Sequence, residues 1–220
     1  MKVCACISGK NMREALIQIR KANLYADLIE VRLDHIKKPE LKKLLQECKK
    51  KTIVTFRSKK EGGKNKITKH KRIKLLEKAF ELNSDFVDLE FSLGVNKISE
   101  LMKKKKKSKI ILSKHFTKKT PSIKSLQKLA KKMSLLKPDI IKIVCKANKF
   151  EDNFKMIKLI LNSRKRKKML CFCMDKKGRT SRIFSFLIGN EIMFAVLEKR
   201  KENAGQLTVK KIKEIQKVIA

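Results

Sequence analysis

Residues 139–162 read DIIKIVCKANKFEDNFKMIKLILN. The first seven are a short run dominated by Ile and Val, the signature of a strand, and Phe150, Phe154, Ile157 and Leu161 then recur at helical spacing. The pair repeats along the chain. Apolar runs stand at 2–8 (KVCACIS), 27–34 (DLIEVRLD), 52–57 (TIVTFR), 85–91 (DFVDLEF), 109–115 (KIILSKH), 139–145 (DIIKIVC), 168–174 (KMLCFCM) and 191–197 (EIMFAVL). Helical patterns lie between them, such as Met12, Ala15, Leu16 and Ile19 after the first. Thr120 and Pro121 read as N-cap and first-turn proline of the fifth helix, and Thr208 as the cap of the last.

Eight strand–helix units in 220 residues are the arithmetic of an α/β protein folded as one (β/α)8 TIM barrel, slightly short for that architecture. A single domain over 1–220 is expected. The nearest alternative, an open doubly wound sheet, is disfavoured on two grounds: SGKN at 8–11 is no glycine-rich phosphate loop, and strands and helices alternate without a break.

Barrel chemistry happens at the carboxyl ends of the strands, so polar residues late in these runs matter most. Glu30, Arg32 and Asp34 alternate along the second run and therefore share a strand face. The third run ends at Arg57, followed by Glu61, Gly62 and Gly63. The fourth carries Asp88 and Glu90, the fifth Ser113 and His115, the sixth Lys142, and Arg182 follows the seventh. For Asp34, Asp88 and Glu90 a neutralised structural network is the first reading. Lys142 is the anomaly, a charge set among Ile140, Ile141, Ile143 and Val144. Desolvation, with like charge from Arg32, Arg57 and Arg182 around it, favours a neutral amine able to attack a ketone. The resulting iminium is an electron sink. His115, on the neighbouring strand, is placed to take the adjacent proton and later protonate a departing hydroxyl, with Glu61 holding its ring and the arginines clamping an anion. His35 and His70 read as solvated.

Lys and Arg number 59 against 21 Asp and Glu, a net charge of +38. The lysines are spread along the chain, apart from KKKKK at 103–107 and RKRKK at 164–168, and there is no Trp and one Tyr to supply stacking surfaces. Those runs read as solvated loop ends, so nucleic-acid binding beyond nonspecific attraction is not expected. An apolar fraction of 42% fits a soluble globular protein. Five of the six cysteines lie in apolar runs; alternation puts Cys4 and Cys6 on one face, and likewise Cys171 and Cys173, as buried structural thiols that suit a reducing cytoplasm. No N-terminal signal region is evident, and 184–197 is too short and interrupted to span a bilayer.

Seven motifs in order carry a resemblance that covers essentially the whole chain: EVRLD (30–34), TFRSKKEGG (55–63), DFVDLE (85–90), SKHFTKKTP (113–121), DIIKIV (139–144), MDKKGRTSR (174–182) and AGQ (204–206). Together they resemble the type I 3-dehydroquinate dehydratases of the shikimate pathway. The resemblance implies conversion of 3-dehydroquinate to 3-dehydroshikimate by Schiff-base syn elimination of water. Lys142 matches the Schiff-base lysine, His115 the general acid and base, and Glu61 its assisting carboxylate. Glu30, Arg32 and Arg57 match residues that hold ring hydroxyls and organise the site, Arg182 the partner of the substrate carboxylate, Met174 a side chain packed on the ring, and Gln206 the glutamine of a closing loop. The resemblance also implies no metal or organic cofactor, and a homodimer. Two departures stand out. In KRKENAGQ (199–206) Glu202 or Asn203 occupies the neighbourhood of a family serine and Ala204 replaces a proline, so Glu202 is a substrate-contact candidate that either repels the anion or makes a new hydrogen bond. After His115 the order is Phe-Thr instead of a short polar residue and Phe. An aldolase-type Schiff-base barrel, or a basic polyanion binder on a decayed enzyme scaffold, are the alternatives.

Overall fold

The structure, a computed structural model, describes residues 2–65, 67–163, 169–188, 190–198 and 205–219. Strands β1 (Lys2–Ile7), β2 (Leu28–Arg32), β3 (Lys51–Thr55), β4 (Phe86–Glu90), β5 (Lys109–Phe116), β6 (Ile140–Lys146), β7 (Met169–Met174) and β8 (Ile192–Ala195) form one sheet. They alternate with helices α1 (Met12–Tyr25), α2 (Leu41–Glu47), α3 (Lys69–Glu81), α4 (Val95–Lys103), α5 (Ile123–Ser134), α6 (Asp152–Ser163), α7 (Arg179–Leu187) and α8 (Val209–Ile219). The spatial order β7-β6-β5-β4-β3-β2-β1-β8 keeps every strand beside its sequence neighbour and returns β8 to β1, all in parallel. A doubly wound sheet reverses its order at a central strand; this one does not, and the chain is a single-domain (β/α)8 barrel. Among the described residues no ladder joins β7 to β8. Phe172 and Phe194 meet across that seam with ring centroids 6.3 Å apart.

Alternation along the strands splits the apolar residues into two cores. Ile7, Val31, Val54, Leu89, Leu112 and Ile143 point outward against Ile19, Leu44, Phe80, Leu101 and Met156 of the helices. Cys4, Leu28, Ile53, Ile111, Ile140, Leu170 and Ile192 point inward and fill the amino-terminal half of the barrel. Two residues further on, the inward position becomes Glu30 after Leu28, Thr55 after Ile53, Asp88 after Phe86, Ser113 after Ile111 and Lys142 after Ile140. The interior thus changes from dry to charged in a single layer. Cys4 and Cys6 are inward, Cys171 and Cys173 outward, and all are free thiols, as alternation requires.

One local expectation needs correction. Helix α5 is capped by Ser122, whose side chain accepts from Ser125 N; Thr120 instead donates its hydroxyl to Lys146 O at 2.7 Å and ties the β5–α5 loop to the end of β6. Thr208 does cap α8, accepting from Lys211 N at 3.2 Å. In α6 the apolar stripe is on the outside, with Phe150, Phe154 and Leu161 each about half exposed. Asp152, Asn153, Met156, Leu159 and Ile160 are the buried residues. The cause is Asn153, which accepts from Ser181 N and donates to Lys177 O, fixing that edge of α6 against the start of α7. In KKKKK, Lys104 pairs with Glu77 and Lys105 with Asp139; RKRKK lies outside the described residues. Among the described residues no helix is long and apolar enough to cross a membrane.

Candidate active site

The carboxyl ends of the strands open into a cavity of about 250 Å³. Its floor is the layer where the interior becomes charged. Lys142 is only 4% exposed there, in register with Ser113 of β5 and Leu170 of β7. Its Nζ lies 3.6 Å from Glu30 Oε1, 3.6 Å from Asp88 Oδ2 and 3.8 Å from the centroid of Phe194. The charges closest to the amine are therefore carboxylates, where the sequence reading put arginines. Alternation explains the difference, because Glu30 and Asp88 are the inward residues of β2 and β4 one step above the dry layer.

Those carboxylates belong to a buried network. Arg57 donates from Nη2 to Asp88 Oδ2 at 2.7 Å and from Nη1 to Ser113 Oγ at 2.7 Å and Glu90 Oε1 at 3.3 Å. Ser113 Oγ donates to Asp88 Oδ1 at 2.5 Å, and Thr55 Oγ1 to Glu30 Oε1 at 2.9 Å. Arg72 of α3 pairs with the other oxygen of Glu90. Arg32 makes a two-pronged pair with Asp34 at 2.9 and 2.8 Å, and Asp34 also accepts from Arg57 N at 3.2 Å. The structural reading of Asp34, Asp88 and Glu90 holds. Burial pushes the Asp88 carboxyl up, but Arg57, Lys142 and His115 outweigh it and bring it down to about 2. Against the same burial cost, Lys142 and then Arg32 hold Glu30 below its ordinary value.

His115 sits two residues beyond Ser113 on β5, one layer nearer the mouth. Its Nδ1 is 3.5 Å from Glu61 Oε2, and that oxygen accepts from the His115 backbone N–H at 2.8 Å. Burial, then the positive charges of Arg57 and Lys142, push the imidazole well below its ordinary value. Glu61 owes its place to the glycines after it. The turn Lys59–Glu61 ends at Gly62 with φ 91°, and a Cβ on Gly63 would fall 1.9 Å from Arg57 O.

Arg182, in the first turns of α7, is buried with its Cζ 4.3 Å from the centroid of Phe172. Its Nε has no hydrogen-bond partner among the described residues, and burial lowers the guanidinium to about 10. A desolvated guanidinium with an unused donor is a ready partner for an anionic oxygen. Met174 and Gln206 also line the cavity. Gln206 is brought there because a Cβ on Gly205 would meet Asp175 O at 2.4 Å, so only glycine lets that backbone approach. Glu202 and its neighbours at 199–204 lie outside the described residues. His70 is exposed, as expected. His35 is not: it lines the cavity with Nε2 3.7 Å from Asp34 Oδ2. Arg72 escaped the sequence reading too, hidden in a lysine-rich helix.

Fold and cavity together define an α/β-barrel enzyme with its reaction centre at the carboxyl ends of the strands. The chain belongs to the type I 3-dehydroquinase family, which it matches over residues 3–220. It is a hydro-lyase, and its reaction is the dehydration of 3-dehydroquinate in the shikimate pathway. It is 33% identical over 217 residues to the 3-dehydroquinate dehydratase of Pyrococcus abyssi, covering 99% of this chain and 98% of that one. The structure of the Aquifex aeolicus 3-dehydroquinate dehydratase matches 99% of this chain and 98% of its own, at 26% identity and a TM-score of 0.85. The fold also matches a type I 3-dehydroquinate dehydratase from Clostridium difficile at a TM-score of 0.91 and 23% identity, covering 99% of this chain and 92% of that one. The aldolase-type and polyanion-binding alternatives fall with these matches.

Proposed function

We propose that the residues gathered at the cavity divide the dehydration as follows. Lys142 Nζ adds to the ketone of 3-dehydroquinate and expels water to give an iminium. His115 takes the neighbouring proton, the electron pair flows into the iminium, and the same imidazole returns the proton to the departing hydroxyl, which leaves as water. Hydrolysis of the carbon–nitrogen bond frees 3-dehydroshikimate and regenerates the amine. The observation that carries this reading is a buried primary amine at the cavity floor with an imidazole one layer above it. Arg182 takes the substrate carboxylate, Met174 packs on the ring, and Gln206 covers it. Glu30 and Arg32 meet the ring hydroxyls, whereas Arg57, committed to Asp88, Glu90 and Ser113, acts chiefly by holding the site's charges in order.

The pH profile tests the role of His115. With its value depressed, the imidazole stays neutral as pH falls and is lost as a base only when pH passes below that depressed value. The acid limb of kcat/KM assigned to His115 is therefore expected below pH 6.5, the ordinary imidazole value. A limb at or above it, in an enzyme whose Michaelis constant is steady across the range, contradicts the assignment.

The same reading includes a cytoplasmic homodimer. Free thiols fit the compartment. Phe150, Phe154 and Leu161, with Phe184 and Leu187 of α7, leave large apolar side chains about half exposed, and the Asn153 bonds bring that edge of α6 to α7. Two chains of net charge +38 repel unless an apolar contact offsets the repulsion. Phe154→Glu should shift light-scattering mass from two chains toward one. A wild-type protein that is already monomeric at micromolar concentration refutes the dimer.

A further inference from the structure

Strand alternation sends Lys114 away from the barrel axis, between Ser113 and His115. At the end of β5, however, its ammonium reaches Glu61 Oε1 at 2.9 Å. Glu61 is buried and has both oxygens engaged, Oε1 by this ammonium and Oε2 by the His115 backbone N–H at 2.8 Å. The ring Nδ1 of His115 is 3.5 Å from Oε2 and has no hydrogen-bond partner among the described residues. The Lys114 side chain is a quarter exposed and runs beside Phe116, its Nζ 5.8 Å from the ring centroid, so it is laid against the protein on its way to the carboxylate. A carboxylate already neutralised by an ammonium attracts a neighbouring proton less strongly.

We infer that Lys114 is a positioning residue for the general base: by pairing with Glu61 it prevents that carboxylate from forming an imidazolium–carboxylate pair with His115, so the ring stays neutral. Among the described residues, the other charges acting most strongly on the ring are Arg57 just after β3, Lys142 of β6, Asp88 of β4 and Arg32 of β2. Three of these four are cations that also disfavour the imidazolium, whereas Asp88 and the adjacent Glu61 are carboxylates that favour it. Lys114 therefore controls the carboxylate that lies against the base. The inference rests on the reading of His115 as the base, but the coupling between the three side chains can be measured without turnover.

The experiment is an NMR titration of the imidazoles in the full-length protein, with His115 assigned against His35 and His70 by His115→Gln. Lys114→Met is expected to raise the His115 midpoint by about one pH unit, and Lys114→Arg to leave it near the wild-type value. In a Glu61→Gln background, Lys114→Met should move it by less than about a third of that. No shift in Lys114→Met overturns the inference. An equal shift in both backgrounds also overturns it, since Lys114 would then act on the ring directly instead of through Glu61. The acid limb of kcat/KM should follow the NMR midpoint in each variant. A midpoint that moves while the limb stays still leaves the coupling standing and defeats the assignment of His115 as base.

Discussion

Lys142→Ala should lose at least about 10⁴-fold in kcat, and with it the covalent adduct that borohydride traps from 3-dehydroquinate. The loss is expected to be this deep because the amine is the proposed covalent partner of the substrate, and among the described residues no other primary amine lies at the cavity floor. Lys64 and Lys114 stand near the mouth, but Lys114 is engaged by Glu61. The variant should nevertheless fold. Removing Lys142 leaves Glu30 with the Thr55 hydroxyl and the charge of Arg32, and Asp88 with Arg57 and Ser113, so each carboxylate keeps a cation nearby. Intact mass of the reduced wild-type protein should show one added substrate-derived group, and peptide mapping should locate it on Lys142. An adduct that survives in Lys142→Ala, or one that maps elsewhere in the wild type, eliminates the proposed nucleophile.

That prediction comes from the part of the site that was readable in the sequence. Lys142 declared itself because an ammonium among four aliphatic residues is expensive to bury and therefore informative. The strands were equally legible: a barrel whose sheet is covered on both sides makes its strands short continuous apolar runs, and the polar exceptions fall at one end of the barrel. What escaped has physical reasons. The helix after β6 offers two apolar faces, Phe150/Phe154/Ile157/Leu161 and Met156/Leu159/Ile160, and hydrophobicity alone favours the phenylalanines. The choice is made by Asn153, whose hydrogen bonds to α7 are invisible until the two helices are neighbours. Arg72 looked like one more cation in KHKRIKLLEK, yet it stands four residues before Leu76 and beside Ile73, on the stripe that α3 buries. That spacing was the available signal. Lys114 gave none, because its role depends on the chain turning at the end of β5 toward a carboxylate 53 residues away.

Arg57→Met is expected to be the most destabilising single change in the buried network, by about 3–5 kcal/mol near neutral pH. The size follows from what is left behind. Arg57 is 3% exposed and supplies hydrogen bonds to Asp88, Glu90 and Ser113 at once; methionine fills part of the volume and supplies none of them. Glu90 then keeps Arg72 and Ser58 N, but Asp88 loses its direct 2.7 Å partner and keeps only Lys142 at 3.6 Å and the Ser113 hydroxyl, so it is under-compensated in a dry site. Against a typical total of about 5–15 kcal/mol such a loss approaches unfolding. Its pH dependence has a definite sign. In the wild type Asp88 is held at about 2, below its ordinary 3.8, so its contribution to stability is complete above pH 3.8 and disappears as pH falls through 2. In Arg57→Met that contribution is already reduced, and a protonated Asp88 needs no counter-charge. The gap between the two proteins in urea midpoint should therefore be widest above pH 4 and should narrow steadily toward pH 2. A gap that stays constant down to pH 2 would mean that lost packing around the side chain, and not the stranded Asp88 charge, carries the destabilisation.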